Sequence, residues 1–294
     1  MKYKIRLIWH NPENLWKYKF IGYLSRLLSY ALIKPLKIIG IIFGIVLSKL
    51  PIILSSSLKE SIKLTTNMPL SLDIKVAVDG LRDYKRAQFS NKERQTCEWI
   101  EKYYEKGDTI YDVGANIGAV SLISAIHLEK ECLVYAFEPL PTTFAMLFKN
   151  VMINNCSKVI VPLNIALSDK VEINQFNLTS TQSGTSGHSI TKASIIPRDF
   201  NNRLTVFTQT LDNLIDTYDI KKPNHIKIDV DGIDYEVLLG GEKNVLNNPA
   251  LKTILIEKNS KEDKVRELVK KYGFVEHKFK GYKSRYDNLA FARN

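Results

Sequence analysis

Gly107-Asp108-Thr109-Ile110-Tyr111-Asp112-Val113-Gly114-Ala115-Asn116-Ile117-Gly118 is the stretch from which the fold can be read. Thr109 to Val113 mixes β-branched and aromatic residues and reads as a short strand. Gly114 to Gly118 is a tight turn. Val120, Leu122, Ile123, Ala125 and Ile126 then recur at helical spacing, so the turn opens a helix. Strand, glycine turn and helix make the first half of a nucleotide-binding βαβ unit. Its glycines let the backbone approach a ligand, and the helix N-terminus offers N–H groups.

The spacing narrows the ligand. A dinucleotide fold uses G-x-G-x-x-G so that a pyrophosphate can rest on the turn. Here the pattern is D-x-G-x-x-x-G, with Asp112 before Gly114 and Asn116 in place of a second glycine. A carboxylate at the strand exit repels a pyrophosphate and suits a cationic ligand such as the amino group of S-adenosylmethionine (AdoMet). The alternative is an ordinary βα turn with an incidental Asp. A second strand, Cys132 to Phe137, decides between them. It ends in Glu138, twenty residues after Gly118, where a ribose-binding carboxylate belongs.

Asp112 to Gly118, Phe137-Glu138-Pro139, Ala166-Leu167-Ser168-Asp169, Thr210-Leu211-Asp212 and Lys227-Ile228-Asp229-Val230-Asp231-Gly232 together resemble the FkbM-type methyltransferases. The similarity runs from Asn91 to Ala292. It implies an AdoMet-dependent enzyme of the class I, Rossmann-like α/β fold, acting on a hydroxyl of a glycan, polyketide or other secondary product. Asp231 departs from the family's usual Glu, one methylene longer.

The 294 residues are 45% apolar, enough for one sizeable α/β core plus an extension. Cys97, Cys132 and Cys156 are widely spaced, which points to no disulfide framework or zinc site and fits a reducing compartment. Of the net charge of +11, residues 1–60 carry +8 and the remainder only +3. Basicity placed outside the catalytic part argues against a nucleic-acid substrate. The same segment is apolar, with an uncharged run from Ile38 to Ser48 that falls short of the ~18–20 residues of a membrane span. It reads either as a monotopic or re-entrant contact with the cytoplasmic face of a membrane, or as a helical hairpin broken at Pro51 and packed on protein. Lysines near an anionic surface contribute about 1 kcal/mol each.

The remaining chain divides into a connector with a covering helix (61–107) and a methyltransferase domain (108–294). Asp73 to Val78 reads as a strand. Asn91 to Tyr104 reads as a helix over the cofactor side of the sheet. Strands follow at Val159–Leu163, Asn224–Val230 and Leu251–Ile256, and helices at Pro139–Asn155, Ile233–Leu246 and Glu262–Tyr272. The sheet is therefore mostly parallel, closed by an antiparallel pair over Phe274–Phe279 and Asn288–Ala292. Residues 171–209 break the rhythm. Two alternating stretches flank a small, polar loop, the pattern of a lid, which the resemblance turns into a substrate-facing flap.

In an open parallel sheet the strand C-termini converge on one rim. Asp112, Gly114, Asn116, Gly118 and Glu138 are the expected cofactor residues, with Ser168 and Asp169 toward the adenine unless that loop is a plain turn. Lys227, Asp229, Asp231 and Glu257 fall where a methyl group would be delivered. An alcohol acceptor must lose its proton, so a carboxylate or His is required. Asp229 is the first candidate for base or substrate orientation; otherwise it caps the following helix or holds Lys227. His188 is a second candidate, or a solvated loop residue. A divalent metal shared by Asp229, Asp231 and Glu257 is conceivable, but no spacing demands one. N-P-P-Y, D-P-P-Y and Pro-Cys signatures are absent, which removes the commonest base-methylating chemistries. Two other classes remain open: a membrane-associated scaffold with a vestigial AdoMet fold, and an RNA methyltransferase tethered by its basic tail.

Overall fold

A computed structural model of the chain describes residues 63–67, 73–77, 94–177, 189–192, 203–230, 232–258, 261–279 and 288–293, with helical positions at 24, 27, 28, 31 and 32. The chain divides into two compact units, residues 1–62 and residues 63–294. Expectations for His188, Asp231 and the apolar run Ile38–Ser48 lie outside the described residues.

The second unit opens with β1 (Lys63–Asn67) and β2 (Asp73–Ala77), an antiparallel pair. α1 (Arg94–Tyr103) leads to β3 (Thr109–Val113), α2 (Ala119–His127), β4 (Leu133–Phe137), α3 (Pro141–Ile153) and β5 (Ile160–Leu163). Next come β6 (Ala166–Leu167), β7 (Glu172–Asn177), β8 (Ser189–Lys192) and β9 (Arg203–Gln209). The alternation resumes with α4 (Leu211–Tyr218), β10 (His225–Ile228), α5 (Asp234–Leu239), a π turn (Glu242–Leu246), β11 (Thr253–Glu257), α6 (Glu262–Lys271), β12 (Phe274–His277) and β13 (Asn288–Arg293).

Seven strands form one sheet in the order β12-β13-β11-β10-β3-β4-β5. All are parallel except β13, which runs antiparallel to both β11 and β12. The order reverses between β3 and β10, the switch point at which open α/β sheets bind ligands. Alternation of side chains across the sheet supplies two cores. Ile110, Val134, Ala136 and Ile160 meet Trp99, Leu122, Leu147 and Val151 of α1, α2 and α3. Tyr111, Val113, Ile226 and Ile254 meet Leu214, Val237 and Leu268 of α4, α5 and α6.

Three expectations change. Residues 63–67, read as connector, pair with β2. Residues 233–246, read as one helix, are α5 followed by a π turn. Gly240, just after α5, lies against the β6 loop: a Cβ there would stand 2.2 Å from the Ser168 carbonyl oxygen. The flap is more than a hairpin: β6, β9, β7 and β8 form a four-stranded sheet of their own, seated on Leu140, Ala166, Phe176 and Val206. The antiparallel pairing of Glu172–Asn177 with Arg203–Gln209 is as the alternation predicts. α1 covers more than the rim: Gln95 and Thr96 reach Asn288 there, but Trp99, and Tyr104 just after the helix, reach Thr253 and His225 at the opposite strand ends.

That opposite end holds a buried polar network. His225 is fully buried and stacks on Tyr104. Its Nε2 lies 2.8 Å from Asp108 Oδ2 and its Nδ1 lies 2.7 Å from Thr253 Oγ1. Thr253 also accepts from Trp99 Nε1, leaving its hydroxyl hydrogen for Nδ1. The neutral imidazole carrying its proton on Nε2 therefore satisfies every partner. Burial pushes the His225 pKa down against the raising pull of Asp108. Burial would raise the Asp108 pKa, but hydrogen bonds from His225, Lys252 and the Glu105 N–H outweigh it and bring it to about 2.

The sign follows. Below about pH 6.5 the unfolded chain protonates this imidazole before the folded one does, so stability present at neutral pH is lost on acidification. Asp108 adds a second loss as pH falls from 3.8 toward about 2. The thermal midpoint should decline between about pH 7 and pH 5. His225→Phe should start about 1–3 kcal/mol less stable, because it strands buried partners, yet show a shallower decline over that interval. Parallel declines would remove His225 as the acid-sensitive group.

Candidate active site

The site is built at the exit of β3. Gly114 and Gly118 have φ +80° and +87°, and Asn116 sits at +51°, a left-handed conformation Asn tolerates. Gly114 and Ala115 N–H donate to the Phe137 carbonyl at 3.0 and 2.9 Å, tying the turn to the end of β4. Gly114 also has no room for a side chain: a Cβ would stand 2.0 Å from the Asp229 carbonyl oxygen at the end of β10. Asn150, fully buried in α3, donates to the Ile117 carbonyl and accepts from Ala77 N–H, bracing the turn from below.

Asp112 is fully buried. Its Oδ2 accepts from Ser121 N–H at 3.0 Å and Ser121 Oγ at 2.6 Å. Its Oδ1 is buried without a hydrogen-bond partner. Burial raises the carboxyl's pKa, and the charge of Lys227 opposes that most strongly. Glu138 is buried at the end of β4; Oε2 accepts from Asn116 N–H and Oε1 from Leu140 N–H, each at 2.9 Å. The ribose-type acid is thus held against the turn by the turn's own backbone. An unsatisfied carboxylate oxygen, a turn with glycine at both ends and a fixed second carboxylate fit AdoMet, whose amino group is cationic and whose ribose presents hydroxyl donors.

Asp229 lies one residue past the paired end of β10. Its carboxylate is about one third exposed and takes a 2.9 Å hydrogen bond from Lys227 Nζ. Of the two structural roles open to it from sequence, holding Lys227 is present. The loop below it is held instead by Asp234, a residue sequence reading passed over. Asp234 is fully buried and accepts from Val230 and Gly232 N–H, both at 3.2 Å. Burial, helped by the charge of Asp229, raises its pKa to about 6. An Asp placed just ahead of Val237 and Leu238 was the available signal. Glu257 ends β11, half-buried beside β10. Ser168 and Asp169 follow β6, the Ser168 hydroxyl donating to Asp169 Oδ1 at 3.2 Å. That loop packs on Gly240 after α5, and Ser168 N–H donates to the Gln209 carbonyl; among the described residues neither Ser168 nor Asp169 is hydrogen-bonded to the Asp112–Gly118 turn.

The structure thus gathers Asp112, Gly114, Asn116, Gly118 and Glu138 into one bonded unit, and Gly114 brings Asp229 against it. Lys227, expected from sequence on the delivery side of the rim, is 3% exposed in β10 and pairs with Asp229. Among the described residues no three His, Cys, Asp or Glu side chains are grouped to hold a metal. A cavity of about 550 Å³ lies to one side, between Leu163 of β5, Val206 and Phe207 of β9, and Leu214 and Tyr218 of α4.

The methyltransferase FkbM domain matches residues 112–276. The hexuronic acid methyltransferase AglP of Haloferax volcanii is 27% identical over 163 residues, covering 55% of this chain and 62% of that protein. The match therefore spans about three fifths of that relative's length. Among solved structures, an FkbM methyltransferase from Methylobacillus flagellatus is 14% identical with a TM-score of 0.47, over 65% of this chain and 44% of that one. The TrmK protein of M. capricolum, in complex with S-adenosyl-homocysteine, is 11% identical with a TM-score of 0.41, over 67% of each chain.

Removing the Glu138 carboxylate takes away a buried charged acceptor. Glu138→Ala should weaken AdoMet binding by about 1.5–3 kcal/mol, read by calorimetry. Unchanged affinity would take Glu138 out of the cofactor site.

Proposed function

Since the chain belongs to the FkbM methyltransferase family and depends on AdoMet, we propose that it transfers the methyl group to a hydroxyl oxygen of a sugar, in a glycan or glycolipid at the cytoplasmic face of a membrane. The observation that carries this reading is the Asp229 carboxylate, partly exposed and held beside the cofactor turn by Lys227 and by the close approach of Gly114. The hexuronic acid named for the relative from H. volcanii supports a sugar as acceptor.

Bound AdoMet supplies an electrophilic methyl group on a sulfonium, so the protein's own work is alignment, exclusion of water and removal of one proton. Asp112 and Glu138 hold the cofactor, and Asn116 and Gly118 shape the turn beneath it. Asp229 accepts or orients the acceptor's hydroxyl proton. Glu257 at the neighbouring strand end, with Asp231 and His188, completes the acceptor side. Ser168 and Asp169 face the adenine.

Asp229→Asn should lower methyl transfer about 10²–10⁴-fold, the scale of general-base loss, while AdoMet still binds. Near-normal turnover would end the role of Asp229 and promote Glu257 or His188. The acceptor is tested by incubating the protein with methyl-labelled AdoMet and cell-envelope extract, then fractionating the label. Label in an alkali-stable sugar ether is the expected result. Alkali-labile label would move the acceptor atom to a carboxylate, and label in RNA would overturn the sugar.

Membrane contact through residues 1–60 is the second part of the proposal. Leu24, Leu27, Leu28, Ala31 and Leu32 are helical, share one helix face by spacing and are all exposed. An apolar helix face in a segment of charge +8 suits the interface of an anionic bilayer. No described helix is long and apolar enough to cross a membrane. The full chain should sediment with anionic vesicles, with salt weakening only the electrostatic part. A chain starting at Leu58 should stay dispersed, bind AdoMet and leave the vesicles. Aggregation of that shortened chain, with no vesicle binding by its parent, would show instead that the segment packs on protein.

A further inference from the structure

Lys227 carries an ammonium to a place the fold closes to water. It is 3% exposed. In β10 it stands in register between Leu255 of β11 and Asp112 of β3. The three carboxylate and ammonium side chains Asp112, Lys227 and Asp229 lie on the sheet face covered by α1 and α2, by the alternation of the strands. Lys227 Nζ reaches Asp229 Oδ2 at 2.9 Å. Asp112, across the strand boundary, keeps one oxygen on Ser121 and has the other buried without a hydrogen-bond partner. A carboxylate in that position, left to itself, neutralises by taking up a proton.

We propose that Lys227 is the positioning residue of the active site: one buried ammonium, shared between Asp229 on its own strand and Asp112 on the next, holds both carboxylates as anions toward the cofactor turn. This rests on the placement of Asp112 on the cofactor side and Asp229 on the acceptor side. Lys227 touches neither cofactor nor acceptor. It acts by fixing the direction of Asp229 and the charge of Asp112. The other ionisable groups facing this trio are Tyr104 just after α1, buried and responsive to the Asp112 charge, and Asp234 from α5, which responds to Asp229. Both are neutral or anionic, so Lys227 is the cation that Asp112 feels most strongly.

A merely structural lysine and a positioning lysine differ in the pH dependence of cofactor binding. The test is calorimetric titration of the full chain with AdoMet at pH values from about 5.5 to 8.5, spanning the range into which burial raises a carboxyl. The wild-type chain should bind with nearly constant affinity. Lys227→Met should bind about tenfold or more weakly at the acid end and recover most of that loss at the alkaline end, as the uncompensated Asp112 gains and loses its proton. Lys227→Arg should restore a flat profile while kcat stays low, because the longer cation moves Asp229. A Lys227→Met profile parallel to wild type overturns the proposal. Should that variant not fold, the double variant D112N/K227M must fold, since it removes the stranded carboxylate along with its partner. A double variant that also fails to fold overturns the proposal equally. Asp112→Asn alone separates the two levels: unchanged AdoMet affinity in that variant refutes the site assignment itself, whereas weakened affinity beside a flat Lys227→Met profile refutes only the role of Lys227.

Discussion

The carbonyl oxygen of Asp229 lies so near Gly114 that a methyl group there would stand 2.0 Å from it. That one approach joins the strand bearing the acceptor-side acid to the turn under the cofactor. Most of the remaining site depends on it. Gly114 and Ala115 bind the same turn to β4, and Glu138 returns the link through Asn116 N–H. Asp112 extends it to α2 through Ser121. Three strand ends and a helix are thus fixed against one another by a backbone that only glycine at position 114 permits.

The two ends of the sheet treat buried charge differently. At the N-terminal strand ends, Asp108 has both oxygens engaged, by His225, Lys252 and Glu105 N–H. At the C-terminal rim, Asp112 Oδ1 and Glu236 Oε2 are buried without hydrogen-bond partners. Satisfied networks rigidify, whereas unsatisfied polar atoms cost stability. The charge of Asp108 is fully paired, although the neighbouring Thr109 Oγ1 is buried without a hydrogen-bond partner among the described residues, whereas Asp112 keeps an open oxygen beside the cofactor turn.

Sequence carried the strand ends well. Asp112, Glu138 and Asp229 are each an acid at or just past the exit of a strand pattern, and the alternation of 171–177 with 203–209 foretold the pairing of β7 and β9. What escaped reading depends on partners far away in the chain. The absence of a side chain at Gly240 answers to Ser168, seventy-two residues earlier, whose carbonyl a Cβ there would meet at 2.2 Å. His225 and Asp108 are 117 residues apart, and nothing local distinguishes either from a solvated side chain. Lys227 is similar: periodicity places it on a strand, but its burial and its register against Asp112 appear only once the parallel sheet is assembled. β1 escaped for another reason, since Lys-Leu-Thr-Thr-Asn has too little apolar alternation to mark a strand.

β13 lies between β11 and β12, although both precede it in the chain. A ribosome delivers the two flanking strands first. Until residues 288–293 emerge, β12 has no neighbour in the sheet and β11 presents an open edge. Leu289, Ala290 and Phe291, all buried in the finished sheet, are then missing from both cores. Open edges beside exposed apolar faces are where nascent α/β chains aggregate or recruit chaperones. The nucleotide-binding half can form early from local βα units, but the sheet as a whole closes in a single late insertion. During synthesis the sheet stays vulnerable until residues 288–293 have emerged.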